Sequence, residues 1–298
     1  MDRIIFGDNQ FFGINHMSEE KAQMQLERFR DNRAIIDVLD AAYDAGLRGF
    51  MFSTHDRVRD ICEHLRANLS SYRGARFCPV LPYAHKYAAA VAERGILGVA
   101  KDAFLTNNSV GSLASSLVHG GVGMLTQDPF ELMKVLVDAE MLMFRGLPLG
   151  VVFLQNIVAD LLLGLRMGEA FVRFSEYVSK RYGAEAGFMT MNLPAMAYYL
   201  KECGFRNPIV CASVNKIGYL MNPSRDSYER TIAAGGFRPV AMSILASGAV
   251  PPCEAIEYAC SQANIESFVF GASSKNNIVS TKSLIEQFSA KGEYQLVI

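Results

Sequence analysis

The sequence predicts a (β/α)8 TIM barrel, a single domain over residues 1–298, with a helical insertion after the third strand at about residues 95–146. Three observations predict it. Short apolar runs alternate with stretches whose apolar residues recur at helical spacing, and eight such runs follow one another along the chain. The length, 298 residues with 50% hydrophobic, suits one large core. Polar residues also cluster directly behind the runs, where a barrel carries its functional loops. A doubly wound open sheet is the alternative architecture.

Arg3–Gly7 reads as the first strand, followed by Asp8, Asn9 and Gln10. A long loop with Asn15 and His16 is expected from there to about Asn32. In the helix Arg33–Ala45, Ile35, Ile36, Leu39, Ala42 and Tyr43 form one broad stripe, and Gly46 stands where a C′ glycine ends a helix. Phe50–Phe52 is the second strand, with Ser53, Thr54, His55 and Asp56 behind it, then a helix carrying Val58, Ile61, Cys62 and Leu65. Phe77–Leu81 is the third, followed by Tyr83, His85 and Lys86. The stretch from there to about Pro148 is too long for one crossover helix, so it is expected to hold a lid or a contact between copies of the chain. Val151–Leu154 is the fourth strand, ending at Gln155 and Asn156. Gly187–Met191 is the fifth, ending at Asn192, and Ile209–Ala212 the sixth, followed by Ser213, Asn215 and Lys216. Val240–Ile244 and Phe268–Phe270 complete the set, each followed by a Gly/Ser turn and a helix.

Composition excludes several classes. The net charge is -1 and no long run of one sign occurs, which argues against a nucleic-acid or membrane-surface partner. The most apolar stretch, Leu147–Leu165, is interrupted by Gln155, Asn156 and Asp160 and reads as a strand entering a helix, not a membrane span. The opening residues MDRIIFGDNQ contain no secretory apolar region, and the six cysteines show no CxxC pairing. A cytoplasmic protein with reduced thiols is expected.

In a barrel, residues behind the strands face a shared mouth. Asp8, His55, Tyr83, His85 and Lys216 are the candidates there for proton transfer or nucleophilic attack. Asn9, Gln10, His16, Gln155, Asn192 and Asn215 supply amides and a ring nitrogen that suit a small polar substrate. The turns behind the last two strands carry Ser247, Gly248, Ser273 and Ser274, with Lys275 beside them. Their N–H groups at helix N-termini are expected to favour phosphate. No HxH or HExxH spacing supports a metal site, and no GxGxxG or GxxxxGK[ST] run follows a strand.

Several stretches resemble the aldo-keto reductase superfamily, in the expected order. They are AAYDAGLRGFMFST at Ala41–Thr54, GFMTMNLPAMAYYL at Gly187–Leu200, CASVNKIGYLMNP at Cys211–Pro223, AMSILASG at Ala241–Gly248 and FVFGASSKNNI at Phe268–Ile278. The resemblance implies a TIM barrel and brings NADP as a cofactor, although the residues themselves require none. That family reduces carbonyls with an Asp, Tyr, Lys and His tetrad. By the same alignment Ser53 stands for the Asp, Val58 for the Tyr, Pro82 or Tyr83 for the Lys, and Gln155 for the His. Met242 replaces the aromatic residue that stacks on nicotinamide, and Lys216 replaces a glutamine of the sixth strand.

Three functions follow from these readings. The first is a barrel enzyme for a small polar carbonyl compound or sugar derivative bearing phosphate. It would work by lyase (aldolase-like) or isomerase chemistry, with Lys216 desolvated in the mouth as the amine nucleophile. The second is an NADP-dependent oxidoreductase with a rearranged tetrad. The third is a barrel that binds a ligand without catalysis. A homo-oligomer formed through the insertion is compatible with each.

Overall fold

The computed structural model describes residues 1–14, 17–82 and 129–295. Eight parallel strands close into a barrel in sequence order: β1 Ile4–Phe6, β2 Gly49–Ser53, β3 Arg76–Leu81, β4 Val151–Leu154, β5 Glu185–Thr190, β6 Ile209–Ser213, β7 Arg238–Met242 and β8 Ser267–Phe270. The expected strands all form, with ends that differ by one or two residues. The closed order, in which β1 pairs with β2 on one side and β8 on the other, rules out the open sheet.

Side-chain alternation along each strand divides the molecule into two cores. Ile5, Met51, Cys78, Val80, Val151, Phe153, Met189, Ile209, Cys211, Val240 and Val269 fill the barrel interior. The opposite faces, including Phe6, Phe50, Phe52, Phe77, Phe188, Phe268 and Phe270, pack against the outer helices. Gly187 lies beside Phe153 in the β4–β5 register, and a Cβ there would come within 2.4 Å of Phe153 Cε1. The glycine is therefore what lets a phenyl ring fill the interior at that level.

The helices among the described residues are α1 Glu19–Arg28, α2 Asn32–Asp44, α3 Val58–Ala67, α4 Pro129–Met141, α5 Asn156–Gly164, α6 Gly168–Tyr182, α7 Leu193–Glu202, α8 Arg225–Ala234, α9 Pro252–Ser261 and α10 Lys275–Gln295. The loop expected between β1 and α2 contains α1, a correction to the sequence reading. Ser18 caps this helix by accepting from Lys21 N, Glu19 and Glu20 occupy its first turn and Arg28 its last, an arrangement that complements the helix dipole. It buries no residue, so it lacks the apolar stripe by which helices are recognised.

Of the expected insertion, residues 95–128 lie outside the described residues. The rest forms α4 and a short 3-10 turn, Leu142–Phe144. Val137 and Met141 of α4 are buried in the outer core, and its Asp138 accepts from the hydroxyls of Tyr177 and Tyr182 on α6. This part therefore packs against the barrel's outer core as a helix leading into β4.

At the N-terminal ends of the strands Arg238 binds Glu266 through two hydrogen bonds of 2.7 Å each and Glu185 through one of 2.6 Å, tying β5, β7 and β8 together. All six cysteines are free thiols; Cys62, Cys78, Cys211 and Cys260 are buried. Among the described residues no helix is long and apolar enough to cross a membrane.

Gly187→Val should destabilise the protein by about 1–3 kcal/mol through overpacking against Phe153, read as a lower urea midpoint at unchanged slope.

Candidate active site

The mouth at the C-terminal ends of the strands begins with β1. Because β1 pairs with β2, the residue after it lies beside the end of β2. Asp8 Oδ2 accepts two hydrogen bonds of 2.7 Å from Ser53, one from the backbone N–H and one from the hydroxyl. Ser53 continues the inward series that begins with Met51. Asp8 is buried, and burial pushes its carboxyl from an ordinary 3.8 up to about 6, against the lowering effect of the two bonds from Ser53. The neighbouring strand thus delivers a carboxylate to the serine that ends β2.

On its other side β1 places Gln10 over β8. The 3-10 turn Asn9–Phe12 carries it, and Nε2 donates to Gly7 O at 2.8 Å. Its Oε1 is buried without a hydrogen-bond partner, and a Cβ on Gly271 would stand 2.0 Å from that oxygen. Asn9 itself is exposed. Phe12 of the same turn stacks on His55, with ring centroids 4.3 Å apart and planes inclined by 11°. His55 Nδ1 accepts from Arg57 N, which leaves Nε2 to carry the proton of the neutral ring.

Other expected site residues have different roles. Asn215 is fully buried and clasps its own loop, donating from Nδ2 to Tyr219 O and accepting at Oδ1 from Tyr219 N, both at 2.8 Å. Asn192 caps α7, its Oδ1 accepting from Ala195 N. Gln155 is half-buried at the start of α5. Lys216, expected to be desolvated, is exposed and paired with Glu254 of α9. The Asn215 clasp closes a loop from 215 to 219 that holds Lys216 on its outer side, so following a strand end does not carry that side chain into the barrel. His16, Tyr83 and His85 lie outside the described residues.

The turns behind β7 and β8 also differ from expectation. The N–H groups of Gly248 and Ala249 already donate to Leu245 O and Ala246 O, and Pro251 and Pro252 remove two donors from the start of α9. Ser274 spends its hydroxyl as the cap of α10, accepting from Asn277 N. Cations from elsewhere approach instead. Arg28 Nη2 of α1 donates to Ser273 O at 2.5 Å, and the Lys21 ammonium lies 3.7 Å from where a Cβ on Gly248 would stand. Lys275 opens α10. Behind β7, Ser243, Ala246 and Ser247 all adopt left-handed φ angles, of 52°, 45° and 56°. Such backbone persists in non-glycine residues only where its surroundings hold it, and it concentrates at ligand sites.

Two further residues at the strand ends are half-buried Asp160, which the sequence reading did not single out, and buried Ser213, which it named only as following the sixth strand. Asp160 of α5 accepts from Thr190 Oγ1 and from Met191 N, fixing the end of β5, and burial pushes its carboxyl up. Its signal was a single acid in an otherwise apolar helix. Ser213 ends β6 fully buried, and its hydroxyl has no partner. Among the described residues no three or more His, Cys, Asp or Glu gather as a metal site would require.

The architecture has solved counterparts. A Pseudomonas aeruginosa protein described as an aldo-keto reductase superimposes with a TM-score of 0.59 at 12% identity, covering 96% of this chain and 90% of its own. The two proteins share the fold. A thermostable aldo-keto reductase solved with the inhibitor epalrestat gives a TM-score of 0.57 at 9% identity, with coverage of 97% and 95%. At these identities the likeness is one of fold. No protein-family model matches the chain, and no curated protein matches its sequence.

The pKa of Asp8 sets a pH dependence. The folded protein holds this proton more tightly than the unfolded chain, so the contribution to stability is full below 3.8 and is lost as pH rises through about 6. Wild-type stability should fall across that window by about 3 kcal/mol relative to Asp8→Asn, measured by denaturant titration at each pH. Equal slopes in the two proteins would place the Asp8 pKa at its ordinary value.

Proposed function

We propose that the protein is a barrel oxidoreductase acting on a small polar carbonyl compound, with NADP as its cofactor and the Asp8–Ser53 pair handling the proton. The observation that carries this is the buried carboxylate bonded through Oδ2 to the hydroxyl of an inward-facing serine, with a pKa of about 6. That value is matched to proton transfer near neutral pH. The fold neighbours described as reductases favour this class over a lyase or isomerase. The exposed Lys216–Glu254 pair removes the desolvation on which the Schiff-base route depended.

The residues present suit the cofactor. Gln10 Oε1 is an acceptor in need of a donor, which a ribose hydroxyl or a carboxamide N–H would supply. Lys21, Arg28 and Lys275 suit its phosphates. Met242, at the mouth end of β7, would offer a nicotinamide ring an apolar neighbour. When bound, NADPH supplies the hydride. The chain supplies the proton: protonated Asp8 donates to Ser53 Oγ, whose own hydrogen passes to the carbonyl oxygen as it becomes an alcohol. The reverse reaction runs the same relay toward ionised Asp8. His55, oriented by Phe12 and Arg57 N, is the second proton carrier of the mouth.

Carbonyl reduction at saturating NADPH should fall as pH rises through about 6, and alcohol oxidation should rise. Asp8→Asn should lower both rates by about 10²–10⁴-fold, followed by NADPH absorbance with a panel of small aldehydes and ketones. Lys216→Arg should leave turnover unchanged; loss of activity in that variant would restore the amine route.

A further inference from the structure

We infer that α1 is a strap that closes over the β7 and β8 turns and reads the phosphate and donor groups of a nucleotide held there. The inference rests on the cofactor reading above and adds a binding element to it. One side of α1 is anchored at the 3-10 turn behind β1: a Cβ on Gly13 would stand 2.5 Å from Leu26 Cγ and 2.9 Å from Ala22 O. The adjoining face presents Lys21, Gln25 and Arg28, at i, i+4 and i+7. Lys21 reaches the β7 turn at Gly248, and Arg28 reaches the β8 turn at Ser273 O. The helix therefore spans both turns while burying none of its own residues.

Near these turns the chain leaves polar groups of its own unsatisfied. Gln10 is 6% exposed, its orientation fixed by the bond to Gly7 O, and its Oε1 has no donor. Gln25 Oε1 is buried and unpartnered as well. Neither Lys21 nor Arg28 has a carboxylate partner among the described residues, and Glu19, Glu20 and Glu27 fall on other faces of α1. Buried acceptors without donors are rare in native folds and call for a ligand or solvent to complete them. An acceptor on α1 flanked by Lys21 and Arg28, and a second at the β8 turn, suit a ligand with hydroxyl or amide donors next to phosphate.

The test uses NADPH and the full chain. Hydrogen exchange of the segment 17–30 should slow at least ten-fold when NADPH binds the wild type. Lys21→Gln with Arg28→Gln should raise the NADPH Kd at least ten-fold by calorimetry, since each charged hydrogen bond lost is worth a factor of about ten or more. Because Lys21 and Arg28 are exposed, the variant should keep its circular dichroism and melting temperature. A loss shared by NADH would put the cations on the pyrophosphate, and a loss confined to NADPH would put them on the 2′-phosphate; either supports the strap. Binding of NADPH to the wild type with unchanged exchange in α1, and equal affinity in the variant, would overturn the strap while leaving the cofactor reading intact. Absence of NADPH binding to the wild type would overturn the cofactor reading, and the strap with it.

Discussion

Barrel closure through β1 is the constraint on which the mouth depends. This strand has only three residues, yet it pairs with both β2 and β8. Whatever follows it must therefore lie between the ends of its two neighbours. Asp8 falls against Ser53 of β2, and two residues later Gln10 falls over Gly271 of β8. The contacts have opposite electrostatic character. The first satisfies a carboxylate twice and still leaves it destabilised by burial; the second leaves an amide oxygen with no donor. A change in β1 register by one residue would turn Ile5 out of the interior and move both groups away from their partners.

Stability and chemistry occupy opposite ends of the strands. Arg238, Glu185 and Glu266 close the N-terminal end with charge-assisted bonds among partly exposed groups, and Arg238 holds the Glu266 carboxyl below its ordinary range. Between the ends the interior is apolar, with Phe153 fitted against Gly187. At the other end polar side chains return at the last inward level, at Ser53 and Ser213. The left-handed backbone behind β7 lies at the same end. A rigid apolar plug under a polar, partly unsatisfied layer favours proton transfer, because displacing the layer would require moving the core beneath it.

What was legible in the sequence follows from which signals are local. The strands were, because apolar runs and the turns behind them are contiguous in the chain. The helix α1 was not, since its signals are a capping serine and terminal charges with no buried stripe. Asp8 could be named from its position behind a strand, but its pairing with Ser53 depends on strand register across 45 residues. Lys216 shows the limit of arguing from position: proximity to a strand end sets the height of a residue in the barrel, not its direction. There the direction is set by Asn215, whose buried amide binds Tyr219 at both ends. Asn215 and Asn192 belong to the polar residues that build turns and caps, and no property of the residue type separates them from ligand-facing amides.

The differences from the reductase tetrad then fall into a physical order. A serine in place of the aspartate would by itself leave the site without a carboxylate, yet Asp8 brings one to the same strand end from the adjacent strand. What reaction chemistry needs there is a titratable group at a place, not on a given element. Replacing the tyrosine with Val58 has no such local compensation, because Val58 is fully buried at the start of α3. In the proposed reductase reading the proton for the substrate would pass through hydroxyls and carboxyls that remain at the mouth. Ser53 is the hydroxyl bonded to a carboxyl whose pKa is raised to about 6, and for that reason the proposed relay runs through Asp8 and Ser53.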